Sequence, residues 1–187
     1  MMKRAFDVTI ALIALIILAI PMLLIAALIK FTSVGSVLYW SDRVGKNNEI
    51  FKMPKYRTMQ IDTPAMATHL LGDPGQYLTT VGKYLRKSSL DELPQLLSIL
   101  AGHMSFVGPR PALFNQEDLI KLRTQKGIHK LMPGLTGWAQ INGRDELPIP
   151  VKVQYDEYYL LNHSFIVDLK IILVTIGKVI RHEGVSH

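Results

Sequence analysis

The chain contains no cysteine, which excludes disulfides and thiolate metal sites and fits a reducing compartment. Histidine is sparse, with six in the chain, and none falls into HExxH or a comparable ligand spacing. A metal would therefore rest on carboxylates, whose oxygens favour Mg²⁺, Mn²⁺ or Ca²⁺ over zinc. No GxGxxG occurs, and the stretch from Gly75 to Gly82-Lys83 is two residues too long for a P-loop. Tyr84 also stands where such a loop needs Ser or Thr on Mg²⁺. Any nucleotide must be held in another way.

Acidic residues are the minority: 15 Asp and Glu face 21 Lys and Arg, a net charge of +6. That balance suits an anionic partner, whether nucleic acid, anionic lipid or a phosphorylated small molecule. The 187 residues fit one domain with room for a membrane element. From Val8 to Ile29 no charged residue occurs, with Lys3, Arg4 and Asp7 before the run and Lys30 after it. The run is long enough to span a bilayer as a helix. It is too long for a signal-peptide core, and no clear small-x-small cleavage site follows.

Pro21 lies inside that run, where it removes a backbone hydrogen bond and bends or breaks a helix. Two arrangements fit. A kinked span is tolerated in membranes, but it would send one flanking cationic group across, against the positive-inside tendency. A re-entrant hairpin bent at Pro21 keeps both groups on the cytoplasmic side.

Beyond the run, residues 31–45 and 51–54 read as a short β-hairpin, and 62–80 as a Thr-, Gly- and Pro-rich loop. Residues 93–100 suit a buried helix and 116–126 a second helix. Residues 131–150, with Pro133, Gly134, Gly137, Gly143, Pro148 and Pro150, read as irregular. A final helix over 164–181 is apolar nearly all round, with Asp168 and Thr175 on a narrow stripe, so it is core or lies on a membrane surface. The expected fold class is mostly α with a small β-hairpin (α+β). Its expected parts are a membrane helix over 1–32, re-entrant and broken at Pro21 or kinked and spanning, and a domain over 33–187.

The chemistry centres on Asp91-Glu92, set between Arg86-Lys87 and Pro109-Arg110-Pro111. One reading is structural: Ser89-x-x-Glu92 matches a capping box, with acids favoured in a first turn. The other is chemical. Adjacent helical carboxylates diverge by about 100°, too far to flank one bond as a glycosidase pair, yet they can converge on one metal–phosphate unit. A carboxylate attacking a pyrophosphate meets an anion, so cations must offset the charge. Lys55, Arg57, Arg86 and Arg110 are the candidates.

At these residues the chain closely resembles the bacterial sugar transferase family, the monotopic phosphoglycosyl transferases. The likeness runs through Lys3-Arg4-x-x-Asp7, Pro21, Arg43-Val44-Gly45, and Lys55-Tyr56-Arg57-Thr58-Met59. It centres on Arg86-Lys87-Ser88-Ser89-Leu90-Asp91-Glu92-Leu93-Pro94-Gln95 and on Gly108-Pro109-Arg110-Pro111. It continues through Pro133-Gly134-Leu135-Thr136-Gly137-Trp138 to Arg144, then Asp156-x-Tyr158-Tyr159 and Asp168-Leu169. The resemblance implies transfer of a sugar 1-phosphate from a UDP-sugar to undecaprenyl phosphate, releasing UMP. By position, Asp91 would be the nucleophile, and Glu92, with Asp91, would hold Mg²⁺, for which Mn²⁺ could substitute. Lys55, Arg57 and Arg86 would bind phosphate, and Pro109, Arg110, Pro111 and Arg144 the nucleotide.

The resemblance also favours the re-entrant helix, with amphipathic helices on the bilayer and the catalytic domain on the cytoplasmic face of a bacterial inner membrane. It leaves a homodimer open. Ile20, Ser36 and His103 depart from the family pattern at positions outside the chemistry. Two rivals compete. A membrane adaptor would bind anionic lipid without consuming sugar, and a nucleic-acid binder lacks an aromatic-basic strip, so nucleic acid is not an expected partner.

Overall fold

In the computed structural model, which describes residues 2–64, 73–143 and 147–181, helix α1 (Met2–Thr32) runs the length of the apolar segment. The sequence led us to expect a break at Pro21. Instead the helix passes through it as one element, because a proline removes a single hydrogen bond from a ladder that continues on both sides. At 1.5 Å per residue the helix is roughly 46 Å long. It is long and apolar enough to cross a membrane.

The hairpin forms as anticipated: β1 (Leu38–Val44) pairs antiparallel with β2 (Ile50–Tyr56), Leu38 opposite Tyr56 and Val44 opposite Ile50. The turn between them uses Asn47 and Asn48 at positive φ, a conformation that asparagine tolerates better than most residues. Helix α2 (Thr80–Lys87) follows, its N-terminus capped by Thr79, whose hydroxyl accepts from the Gly82 amide. After a 3₁₀ turn over Leu90–Glu92 comes α3 (Gln95–Ala101), the buried helix anticipated at 93–100. Then come β3 (Ser105–Val107), β4 (Ala112–Leu113) and α4 (Glu117–Gln125).

Residues 131–150 are less irregular than their Pro and Gly content implied. They hold β5 (Gly134–Thr136), α5 (Trp138–Ile141) and the start of α6 (Ile149–Asn162), where Pro150 occupies the first turn and so needs no amide partner. Helix α7 (Phe165–Ile180) is the last element among the described residues. β4 joins the hairpin as a third strand beside β1, and β3 pairs with β5 in parallel.

The contact pattern of α1 is its most telling feature. Ala11, Ala14, Leu15 and Leu18 pack with Phe51, Met53, Leu96, Ile99 and Met104. Further along, Met22, Ile25, Ala26 and Ile29 pack with Tyr56 and Leu85. Spacings of three and four place these residues on one stripe. Polar ties hold both ends. Arg4 donates to the carbonyls of Ile99 and Leu100 at the C-terminus of α3. Lys3 reaches the Val107 carbonyl at 3.0 Å and Asp168, and Asp7 accepts from the Phe106 amide. At the far end Arg57 donates to the Ser33 and Ser36 carbonyls. The opposite face is apolar and bare, with Ile16, Ile17, Ile20, Leu23 and Leu24 all more than half exposed.

Helix α7 is turned the same way. Asp168 and Ile171 are buried, and Asp168 accepts from Lys3 and from the Tyr159 hydroxyl at 2.6 Å. Thr175 meets Thr136 at 2.7 Å. Ile166, Leu173 and Ile176 face outward instead. Its polar stripe thus points into the protein and much of its apolar surface points away, the arrangement of a helix lying on lipid rather than in water. Phe6 of α1 packs edge-on against Phe165 of α7, rings 5.2 Å apart, so the two bare faces adjoin.

Candidate active site

Lys55 sits on β2 with Phe51 and Met53 at alternate positions, its side chain on the buried face of the strand. Arg86 ends α2. The chain then reverses through Ser89, whose φ of 57° is left-handed, and enters the 3₁₀ turn that carries Asp91 and Glu92. Ser89 makes no capping hydrogen bond. The capping-box reading is therefore overturned: the turn starts from a strained serine, and α3 begins only after Pro94. Within a 3₁₀ turn neighbouring side chains diverge by about 120°, so the two carboxylates take different surroundings.

Glu92 Oε1 accepts from Lys55 Nζ and from Arg110 Nη2, each at 2.8 Å. Burial alone would raise its pKa, but Arg110 and Lys55 overcome that and hold it well below the usual carboxylate range. Asp91 is buried. Burial pushes its carboxyl up and the Glu92 charge adds to that, while Lys55, Arg86 and Arg110 pull it down. Arg86 donates from Nε to Thr58 Oγ1 at 3.0 Å; burial lowers its pKa, and Asp91 and Glu92 counter that. The site is a buried acid beside an acid already clasped by two cations, with a third cation adjoining. It can receive a phosphate by letting the cations turn from Glu92 towards it.

The segment that carries Arg110 has unusual backbone support. Pro109 and Pro111 have no N–H, so they cannot extend a ladder as donors. Their carbonyls are taken up by the Gly134 amide at 3.0 Å and by Arg43 Nη1 at 3.1 Å. Gly108, Gly134 and Gly137 lie backbone against backbone: a Cβ on Gly137 would lie 3.0 Å from the Gly108 carbonyl carbon, and one on Gly134 2.7 Å from Gly108 Cα. Such spacing excludes any side chain and explains why the two glycine-bearing motifs meet. A narrow cavity beside this segment is lined by Pro109, Arg110, Pro111, Gly45, Arg123 and His129, and His129 Nδ1 is buried there without a partner.

The structure brings Lys55, Arg86, Asp91, Glu92 and Arg110 together. Arg57 is placed otherwise: it is buried, with Nε and Nη2 engaged by Ser33 and Ser36 at 2.6 to 3.1 Å. Arg144 lies outside the described residues. Among the described residues no group of three or more His, Cys, Asp or Glu could hold a metal. A divalent cation here would take oxygens from Asp91 and Glu92 and the remainder from substrate phosphate and water. That donor set fits Mg²⁺, which keeps waters and is commonly held through one or two carboxylates plus phosphates.

Two buried residues were not singled out from sequence as site residues, Arg123 and Asp156. The signal for the first was present: Arg123 stands four residues after Leu119 on the buried stripe of α4, where a cation needs a partner.

Fold and site together define a membrane-associated group-transfer enzyme that works on phosphates. Comparison with known proteins narrows the class. The model of the family described as bacterial sugar transferase matches residues 1–182. The exopolysaccharide production protein ExoY of Rhizobium meliloti is 42% identical over 98% of this chain and 88% of its own length. The uncharacterized sugar transferase EpsL of Bacillus subtilis is 39% identical over 99% of this chain and 90% of its own. The UDP-glucose:undecaprenyl-phosphate glucose-1-phosphate transferase of Escherichia coli is 36% identical over 95% of this chain, which spans 40% of that larger protein. The chain belongs to the bacterial sugar transferase family.

Proposed function

We propose that the protein transfers a sugar 1-phosphate from a UDP-sugar to undecaprenyl phosphate in two steps, through a phosphosugar carried on Asp91. The observation that carries this reading is the buried Asp91 with Lys55, Arg86 and Arg110 acting on its charge, in a domain held along its length by an apolar helix. The relative from Escherichia coli is named for the glucose form of this reaction, and one from Aeromonas hydrophila for the N-acetylgalactosamine form.

In the first step an Asp91 carboxylate oxygen attacks the β-phosphorus of the donor. The bond from that phosphorus to the bridging oxygen breaks, and UMP leaves with the electron pair. Lys55 and Arg86 offset the charge that gathers on the phosphoryl oxygens. Arg110, between two prolines and beside the cavity at His129, holds the nucleotide end. In the second step a phosphate oxygen of the lipid attacks the same phosphorus and frees Asp91. A Mg²⁺ held by Glu92 and Asp91 would supply further neutralisation of the pyrophosphate. The sugar–oxygen bond is never cut, so anomeric configuration is retained.

The placement of α1 supports both ends of this unbroken helix lying on the cytoplasmic face of the inner membrane, with its bare face in the lipid. Lys3 and Arg4 at one end and Ser33 at the other grip the same domain, which a span would separate by about 30 Å of hydrocarbon.

The test is UMP release from a panel of UDP-sugars with Mg²⁺, with and without undecaprenyl phosphate, for wild type and Asp91→Asn. Lipid-dependent release lost in the variant is expected, with anomeric ¹⁸O retained in the lipid product. Loss of that label would overturn the mechanism. Membrane binding with no donor consumed would bring the adaptor reading forward.

A further inference from the structure

We infer that Arg123 and Asp156 form a buried positioning pair that fixes Arg110 for the reaction. The inference rests on the proposed role of Arg110. Arg123, from α4, donates through Nε and Nη2 to Asp156 Oδ2 at 2.9 and 2.6 Å. Its remaining nitrogen, Nη1, donates to the Arg110 carbonyl at 2.8 Å. Asp156 is 1% exposed and Arg123 8%, and all three hydrogen-bonding nitrogens of Arg123 are engaged within the protein.

The chemistry of the Arg110 segment explains why such a pair is needed. A proline on each side leaves this stretch without a regular ladder, and the Arg110 carbonyl lies between two carbonyls satisfied by other groups. A guanidinium can hold a carboxylate with one edge and a carbonyl with another. The carboxylate orients Arg123, and Arg123 orients the Arg110 main chain. The Arg110 side chain then reaches Glu92 at 2.8 Å. An ammonium in place of Arg123 keeps the charge against Asp156 but cannot present the same planar fork to both partners.

The test is a double-mutant cycle on kcat/KM for UMP release, using full-length protein. Arg123→Lys is expected to lower kcat/KM about 10- to 100-fold, the range for a displaced binding group, and to have little effect in an Arg110→Ala background. An equal loss in both backgrounds, or no loss in wild type, overturns the inference. If Arg123→Lys does not fold, Asp156→Asn takes its place in the cycle, with the same loss expected and the same results overturning the inference. UMP titration provides a separate readout: its affinity should weaken in both variants, while a purely structural pair would lower the thermal midpoint with affinity unchanged. If Arg110→Ala itself leaves UMP release intact, the proposed site fails rather than the positioning pair.

Discussion

Adding one methyl group at Gly82 should damage both stability and activity, for reasons readable atom by atom. Gly82 lies in the first turn of α2, pressed on the backbone of Thr58, just beyond β2. A Cβ there would come 2.6 Å from Thr79 Oγ1 and 2.7 Å from the Thr58 carbonyl carbon, and closer still to the Thr58 oxygen. Two of these atoms are backbone and cannot rotate aside. Overpacking of this kind costs about 1–3 kcal/mol, and rigid neighbours place Gly82→Ala at the upper end. Alanine's better helix propensity returns about 1 kcal/mol, leaving a net loss of roughly 2 kcal/mol. For a chain of this size that lowers the melting midpoint by about 4–8 °C. Thr58 also holds Arg86 through its hydroxyl, so kcat/KM should fall even well below the midpoint. Gly177→Ala is the matched control, because a Cβ there meets nothing within 4 Å and should stabilise by up to about 1 kcal/mol. Thermal unfolding in detergent and UMP release would be measured on both. A Gly82→Ala protein melting at or above the wild-type midpoint would refute the packing argument.

Two other perturbations separate chemistry from structure. Asp91 must be ionised to attack, and its pKa is raised, so activity should fall as pH drops through a value above the ordinary aspartate range of about 4. Lys55 lowers that pKa and Glu92 raises it; the acid limb of kcat/KM should thus move to higher pH in Lys55→Ala and to lower pH in Glu92→Gln. Shifts of the same sign in both variants would refute the assignment. Arg57→Ala removes hydrogen bonds to Ser33 and Ser36 and should cost about 3 kcal/mol. The KM for UDP-sugar should stay unchanged at permissive temperature, and a large rise in KM would return Arg57 to the phosphate-binding set.

Much of the architecture was legible because local pattern and tertiary demand agree there. The hairpin, α3, α4 and α7 each carry a periodicity that matches the face they bury. The apolar run of α1 announced itself by length alone. Where sequence reading failed, local signals were overruled by contacts between distant residues. Prolines and glycines at 131–150 looked like loop, yet Gly134 and Gly137 are there for backbone packing against Gly108, and Pro150 starts a helix. Ser89 matched a cap and became a left-handed reversal. Arg57 stood among plausible phosphate ligands, and only the fold shows its head group engaged by Ser33, just past the end of α1. The partnership of Arg123 with Asp156, 33 positions apart, leaves no local mark beyond a charge on a buried stripe.

The ties at the start of α1 also bear on how the protein is made. Lys3 waits for Asp168, 165 residues later in the chain. At bacterial synthesis rates of roughly 5–20 residues per second, that interval is about 8–33 s. For most of it the apolar helix is already made while its closing partner does not yet exist. Arg4 waits a shorter time for the end of α3, 95 residues on. The helix therefore needs shelter, from lipid or a chaperone, until β2 and α3 are made to cover one stripe of it, and the Lys3 tie to α7 closes last.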